Sequence, residues 1–398
     1  MTCCSNADTA TAAHNPWLAV TAVGLATFAV VTTEMLPVGL LTPIAAALQV
    51  SAGSAGLMIS LPALLAAVFA VLVVIASGGV DRRKILCGLL ALLLLANTAS
   101  ALAPTLGWML AARTLVGLCM GGIWAIAGGL AARLVPGQAV GLATAVIFGG
   151  VAAASVLGVP LGALVGDLFG WRWAFALMAL LSAGVLVLHL AVVPALPAST
   201  AVTLRQFVEL LGNRKLQAGL LLTLLLVIGH FAAFTFARPL LQSVAGLDAQ
   251  WIGAGLFAYG AAGIAGNFLA GPRAAGNPAP TLMAIAAGLL LTAVLYLSLG
   301  GWAPGGIATL LVWGLAYGGV SVTLMTLMMQ AAPEAVELAA AWYVGVFNIA
   351  IALGAWVGGL ALDGSGLAAN LWLLGGFACC ALGLSGWLWR AGGRGEVA

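Results

Sequence analysis

The chain is a succession of long apolar runs separated by short polar breaks. A helix needs about 20 apolar residues, at about 1.5 Å each, to cross the roughly 30 Å hydrocarbon core of a bilayer. Twelve runs reach that length: Trp17–Ala47, Ser54–Gly78, Ile85–Ala103, Gly107–Leu134, Val140–Gly166, Trp171–Val193, Leu216–Gln242, Trp251–Gly271, Thr281–Gly300, Gly306–Gln330, Val336–Leu362 and Leu367–Trp389. The pattern predicts an all-α integral membrane protein with twelve transmembrane helices. The widest polar break, Pro194–Lys215, falls after the sixth run and divides the chain six plus six. The expected organisation is a tail at 1–16, a six-helix bundle at 17–193, a linker at 194–215, a second bundle at 216–390 and a tail at 391–398. Inside the linker, Leu204, Phe207, Val208 and Leu211 recur at helical spacing, with Arg205 and Glu209 as an i,i+4 pair. That spacing predicts a short helix lying on the membrane surface.

Composition excludes the other broad classes. Hydrophobic residues make up 64% of the chain and charged ones 6%, against about a quarter charged in a soluble domain. Soluble folds, disordered chains and nucleic-acid binding are thereby set aside. The net charge of +3 names no polyanionic partner, so meaning lies in where the few charges sit. With both termini in the cytoplasm, Arg82, Arg83, Lys84, Arg133, Arg205, Arg214, Lys215, Arg273, Arg390 and Arg394 fall on the inner side. Those are 10 of the 13 basic residues. The positive-inside rule therefore predicts that orientation. The polar N-terminal stretch lacks the basic start and cleavage site of a signal peptide. None of the six cysteines is placed for a structural disulfide in an outer loop, and no His has metal-ligand spacing around it.

An internal repeat supports two related bundles. Gly158, Gly162 and Asp167 in the fifth run match Gly354, Gly358 and Asp363 in the eleventh, each displaced by the same 196 residues. Two six-helix bundles around a midplane cavity is the architecture such a repeat predicts.

A charge within a span costs several kcal/mol unless it is paired, hydrated or neutralised, so each is a functional candidate. Glu34 lies deep in the first run beside Thr32 and Thr33, just before Pro37 and Pro43. It is a candidate to carry a proton or to bind substrate. Arg113 heads a face of the fourth run that continues through Gly117, Gly121 and Trp124. A guanidinium stays charged and must find carboxylate, carbonyls or water, so Arg113 is either a coupling element or a packing anchor. His230 stands 196 residues after Glu34, near Phe234, and the two are expected to face each other across the cavity. Arg238, beside Pro239, reads as a residue that snorkels to the outer interface, and His189 as an inner-interface residue. Tyr259 and Asn267, eight apart on the eighth run, are placed on one face. Trp313, Tyr317 and Ser321 step by four along the tenth, and Asn348 sits midway along the eleventh near Trp342 and Tyr343. Rings mixed with amide and hydroxyl groups suit a neutral polyol or an amphipathic organic molecule.

Several segments resemble the major facilitator superfamily. The break Gly78-Gly79-Val80-Asp81-Arg82-Arg83-Lys84 resembles its loop signature in contracted form, and Gly271-Pro272-Arg273 stands as the eroded second-half loop. Arg113-x-x-x-Gly117 is similar to the fourth-helix motif, and Gly158-Val159-Pro160-Leu161-Gly162 to the fifth-helix antiporter motif. Thr32-Thr33-Glu34-Met35-Leu36-Pro37 and the His230 segment resemble the bacterial sugar efflux transporters within the drug/proton antiporter branch. The resemblance implies proton-coupled efflux of arabinose-type sugars or galactosides by alternating access, with multidrug antiport or symport as alternatives. It implicates Glu34, Arg113 and His230 in proton coupling and Asp81, Arg82, Arg83, Gly158, Pro160 and Gly162 in gating. The expected partners are a small-molecule substrate, membrane lipids and protons, with no other cofactor, in a monomer holding its whole pathway. Neither a receptor nor a membrane enzyme is favoured, since no signalling domain, HExxH motif, nucleophile elbow or acidic metal site is present in the sequence.

Overall fold

The structure is a computed structural model that describes residues 16–76, 80–196 and 208–393. These fold into twelve membrane-length helices, with no strand among the described residues. The first half holds α1 (Pro16–Leu48), α2 (Ala52–Ala76), α3 (Arg82–Ala101), α4 (Leu106–Leu134), α5 (Val140–Ala153, a π turn at Ala154–Gly158, then Val159–Phe169) and α6 (Trp171–Val192). The second half holds α7 (Arg214–Phe234), α8 (Ala249–Gly276), α9 (Pro278–Leu299), α10 (Ala303–Gly318 and Val320–Ala331), α11 (Val336–Ser365) and α12 (Leu367–Gly393). The fold is an all-α integral membrane protein, as the apolar runs predict.

Helix starts carry their own signals. Asp81 accepts from the Arg83 N–H at the start of α3, Thr105 from Trp108 at the start of α4, and Asn213 from Lys215 and Leu216 at the start of α7. These side chains satisfy backbone donors that a helix leaves unpaired. Exposed Trp108, Trp173, Trp251, Trp302 and Trp372 lie at or near the starts of α4, α6, α8, α10 and α12, while Trp17, Trp387 and Trp389 mark the opposite end. That is the two-belt distribution expected where amphipathic rings sit at headgroup level.

One expected boundary is wrong. Gly271-Pro272-Arg273 is not a loop: α8 runs through Pro272 to Gly276, and only Asn277 separates it from α9. Arg273 donates to the Leu269 carbonyl at 2.7 Å, serving backbone near the position where the proline lacks a donor. The surface helix expected in the linker falls largely on 197–207, outside the described residues, as do the tails at 1–15 and 394–398.

Each half packs its own apolar cluster. Between halves, α2 runs beside α11 and α5 beside α8. The 196-residue repeat is visible as packing. A Cβ at Gly158 would strike Thr32 on α1, and one at Gly162 would strike Leu36. In the second half a Cβ at Gly354 would strike Ile228 on α7, and one at Gly358 would strike Ala232. Residues 228 and 232 are positions 32 and 36 displaced by 196, so the two helix pairs share one register.

Candidate functional site

The first-half charges sit on α1 and α4. Arg113 is fully buried, and its guanidinium spends its donors on backbone: Nε to the Met58 carbonyl at 3.0 Å, Nη1 to Thr33 at 2.8 Å and Nη2 to Glu34 at 2.7 Å. These carbonyls lie in proline-bearing α1 and α2, and Arg113 stitches the two helices together. Gly117 and Gly121 bring α4 within contact of the Pro62 and Ala66 carbonyls of α2, the close approach their spacing suggests. Arg113 does not pair with the Glu34 carboxylate, and its contact with that residue is through the main chain. Glu34 is 1% exposed, and its Oε1 has no hydrogen-bond partner.

A buried polar relay beside Glu34 escaped the sequence reading. Asn97 on α3 donates to the Thr33 hydroxyl at 3.1 Å and to Ser182 on α6 at 3.3 Å, with its own Oδ1 unpartnered. An asparagine alone in an apolar run was the available signal. Together these groups hold the Thr33–Glu34 step from both sides.

The second half places rings where the first places charge. His230 on α7 lies parallel to Tyr317 at 3.3 Å between ring centroids, and stacks on Phe234 at 4.9 Å. Trp313 meets it edge-on and donates from Nε1 to its Nδ1 at 3.0 Å. An accepting Nδ1 places the ring proton on Nε2, 3.5 Å from the Tyr259 hydroxyl, so the imidazole is neutral in this arrangement. His230, Phe234, Tyr259, Trp313 and Tyr317 thus form one aromatic group. Tyr317 leaves its hydroxyl unpartnered. Asn348 donates to the Val344 carbonyl at 2.8 Å and leaves Oδ1 unpartnered.

Other candidates separate from this group. Asn267 is exposed, whereas Tyr259 is buried. Eight residues overshoot two helical turns by about 80°, enough to carry Asn267 off the face it was assigned to. Trp124 packs against Phe148 within the first half, centroids 5.7 Å apart. No hydrogen bond or ring contact joins Glu34 to His230 among the described residues. Met35, the neighbour of Glu34, packs against both apolar clusters. His189 is buried, not interfacial: Nδ1 meets the Val185 carbonyl at 2.9 Å.

At the end carrying the termini, Asp81 accepts from the Leu196 N–H at 3.1 Å and caps α3, while the Arg82 N–H donates to the Leu196 carbonyl at 2.8 Å. The Leu196 N–H, then that of Arg83, holds the Asp81 carboxyl below the usual aspartate range. Arg83 donates to Leu190. The loop therefore anchors the exit of α6 to α3 within one bundle. Gly158, Pro160 and Gly162 lie at and after the π turn of α5, between α1 and α8. The Pro160 carbonyl approaches Gly253 of α8. At the opposite end Arg238 does not snorkel: it is buried and pairs with Asp167 of the other bundle. No three His, Cys, Asp or Glu side chains converge as a metal site among the described residues.

A model of the Major Facilitator Superfamily matches residues 23–355. The chain belongs to that superfamily. A purine ribonucleoside efflux pump of Salmonella paratyphi A is 32% identical to it over 90% of this chain and 91% of the relative. An uncharacterised transporter of the superfamily from Bacillus subtilis is equally identical over the same shares. A Pseudomonas aeruginosa protein named as a transcription regulatory protein is 32% identical over 91% of this chain and 92% of its own length. Among solved structures, a bacterial homologue of the human lysosomal transporter Spinster, inward-facing and occupied, aligns with a TM-score of 0.75 at 14% identity. It covers 95% of this chain and 97% of its own. The human organic anion transporter MFSD10 aligns at 0.70 with 18% identity, over 93% and 99%. The fold is that of the superfamily, and this is a multi-pass membrane transporter.

Proposed function

We propose that this superfamily member is a proton-driven exporter of a small neutral hydroxylated molecule, set in a bacterial inner membrane with both termini cytoplasmic and working as a monomer. The observation that carries the reading is Glu34, a carboxyl group buried on a proline-bearing helix with an unpartnered oxygen. A carboxylate in that position is costly unless it takes a proton or a ligand, and exchanging one for the other is antiport. Arg113, fixed on the Glu34 carbonyl, holds that stretch of α1 in place. One proton moving inward yields about 2.3 kcal/mol per 100 mV, which alone sustains roughly a 50-fold gradient of a neutral solute.

The aromatic group supports the choice of cargo. Parallel rings offer a flat stacking surface, and the free hydroxyl of Tyr317 with Asn348 Oδ1 offers hydrogen bonds. A pentose satisfies these hydrogen bonds, and a base attached to it uses the stacking surface as well. Purine ribonucleosides, the cargo in the name of the Salmonella relative, therefore come first, and free arabinose-type sugars and galactosides second. Lipid contacts cover the apolar exterior.

The test is flux in proteoliposomes under an imposed pH difference, run on purine ribonucleosides, pentoses, galactosides and neutral and cationic antibiotics. Uphill movement of a nucleoside or sugar, dissipated by a protonophore, is expected. Binding without flux would favour a sensor, and exclusive movement of cationic antibiotics would overturn the neutral-cargo reading.

A further inference from the structure

The close approaches between the bundles centre on one end. There Phe236, just past the break after α7, is fully buried in the first-half cluster and abuts Gly56 of α2. In return Val38, Ile59, Ala63, Val159 and Ala163 of the first half join the second-half cluster. This seam is apolar, and it lies in the halves of the helices remote from the chain termini.

At the rim of the seam sit two acidic residues that the internal repeat makes equivalent. Asp167 ends α5 in the first bundle and pairs with Arg238, whose Nη1 also donates to the Gly39 carbonyl of α1. Asp363, displaced by the same 196 residues, ends α11 in the second bundle. Its Oδ2 accepts from the Ser51 hydroxyl at 2.6 Å, and its Oδ1 accepts from the Gly53 N–H at 3.1 Å, at the first turn of α2. Each carboxylate therefore reaches into the opposite bundle, to the segment joining that bundle's first two helices. Gly53 permits the approach: a Cβ there would strike the Asp363 carboxyl and the Gly359 carbonyl.

We propose that Asp167 and Asp363 are two matched clasps of a single gate. Together they hold shut the end of the transporter remote from its termini, and releasing both moves the protein toward the state open at that end. The logic is a population shift. Both clasps bridge the bundles and both cease to exist when the bundles part there, so each favours the closed arrangement alone. The second-half clasp meets the Ser51 hydroxyl and the Gly53 N–H at a helix start, the first-half clasp a guanidinium, so the same position is served by different kinds of donor.

The proposal is independent of the cargo and of the coupling ion. Its test is hydrogen–deuterium exchange by mass spectrometry on the full chain in lipid nanodiscs, without substrate or gradient. The variants are Asp167→Asn, Asp363→Asn and the two combined. The double variant is expected to exchange several-fold faster in peptides covering 36–58 and 160–170, and several-fold more slowly in those covering 128–142 and 322–336 at the termini end. The single variants, each keeping one clasp, give the same pair of opposite changes at smaller size, so the test stands if the double variant does not fold. Unchanged exchange in all variants would overturn the proposal. So would faster exchange at both ends, the mark of lost stability rather than a shifted gate.

Discussion

The two halves share a backbone register and differ in what they place within it. Along α1 and α5 the contacts Thr32–Gly158 and Leu36–Gly162 recur along α7 and α11 as Ile228–Gly354 and Ala232–Gly358. At the shared depth the first half holds Glu34, with Arg113 gripping its carbonyl, and the second holds His230 among five other rings. Packing is thus common to the repeat, while chemistry is divided: a charge half, to which the proposed function assigns protonation, and a ring half, to which it assigns shape and stacking. Glycine seams fix how helices meet and leave the opposite faces of α1 and α7 free to diverge.

Removing the guanidinium tests the charge half hardest. Arg113→Met removes the donors to three carbonyls and leaves two of them, those of Thr33 and Met58, four residues before Pro37 and Pro62, without any helix donor, at about 1–3 kcal/mol each. Thermal unfolding in detergent should fall by several degrees at least, with proton-driven flux abolished. Arg113→Lys should recover part of the stability and little of the flux, because one ammonium cannot replace the fork. Unchanged unfolding in Arg113→Met would remove the stitching role. In the ring half the effect should be smaller and of another kind. Trp313→Phe keeps the packing and loses the bond to His230 Nδ1, worth about 1 kcal/mol. Weaker cargo binding with an unchanged pH dependence of flux is expected, and a shifted pH dependence would move coupling into the ring half.

The smallest effect belongs to the loop. Asp81 is held below its ordinary aspartate value of 3.8 by backbone donors. A depressed carboxyl stabilises the fold above its unfolded value and loses that contribution as pH falls through the folded one. The α3–α6 anchor should therefore be insensitive to pH through the neutral range and loosen only in strong acid. Asp81→Asn should abolish that acid step in an exchange or unfolding profile, and persistence of the step would assign it elsewhere.

The apolar run lengths make the twelve helices legible, because nothing but a membrane span accounts for so little charge over so long a stretch. Glu34, Arg113 and His230 are legible for the same reason, since an ionisable group in a span has to be explained. Their partners are not. Arg113 on three carbonyls, Asn97 on Thr33, and Asp167 on Arg238 all join residues distant in sequence, and run lengths carry no information on which faces meet. Arg238 reads as a snorkelling residue because its partner lies 71 positions away on the other bundle. Asn267 fails for a local reason, the angular overshoot of an eight-residue step, and Pro272 because a proline near a helix end removes a single ladder bond, here the one to the carbonyl of exposed Phe268.

The division of labour between the halves is tested most directly by Glu34→Gln in proteoliposomes, measured two ways on one preparation: accumulation driven by a pH difference, and exchange of labelled for unlabelled cargo without one. Glutamine keeps the volume and hydrogen-bonding capacity but cannot exchange a proton, so driven accumulation should vanish while exchange, which needs a cargo site and a moving gate but no proton transfer, continues. Accumulation that survives in Glu34→Gln would contradict the account.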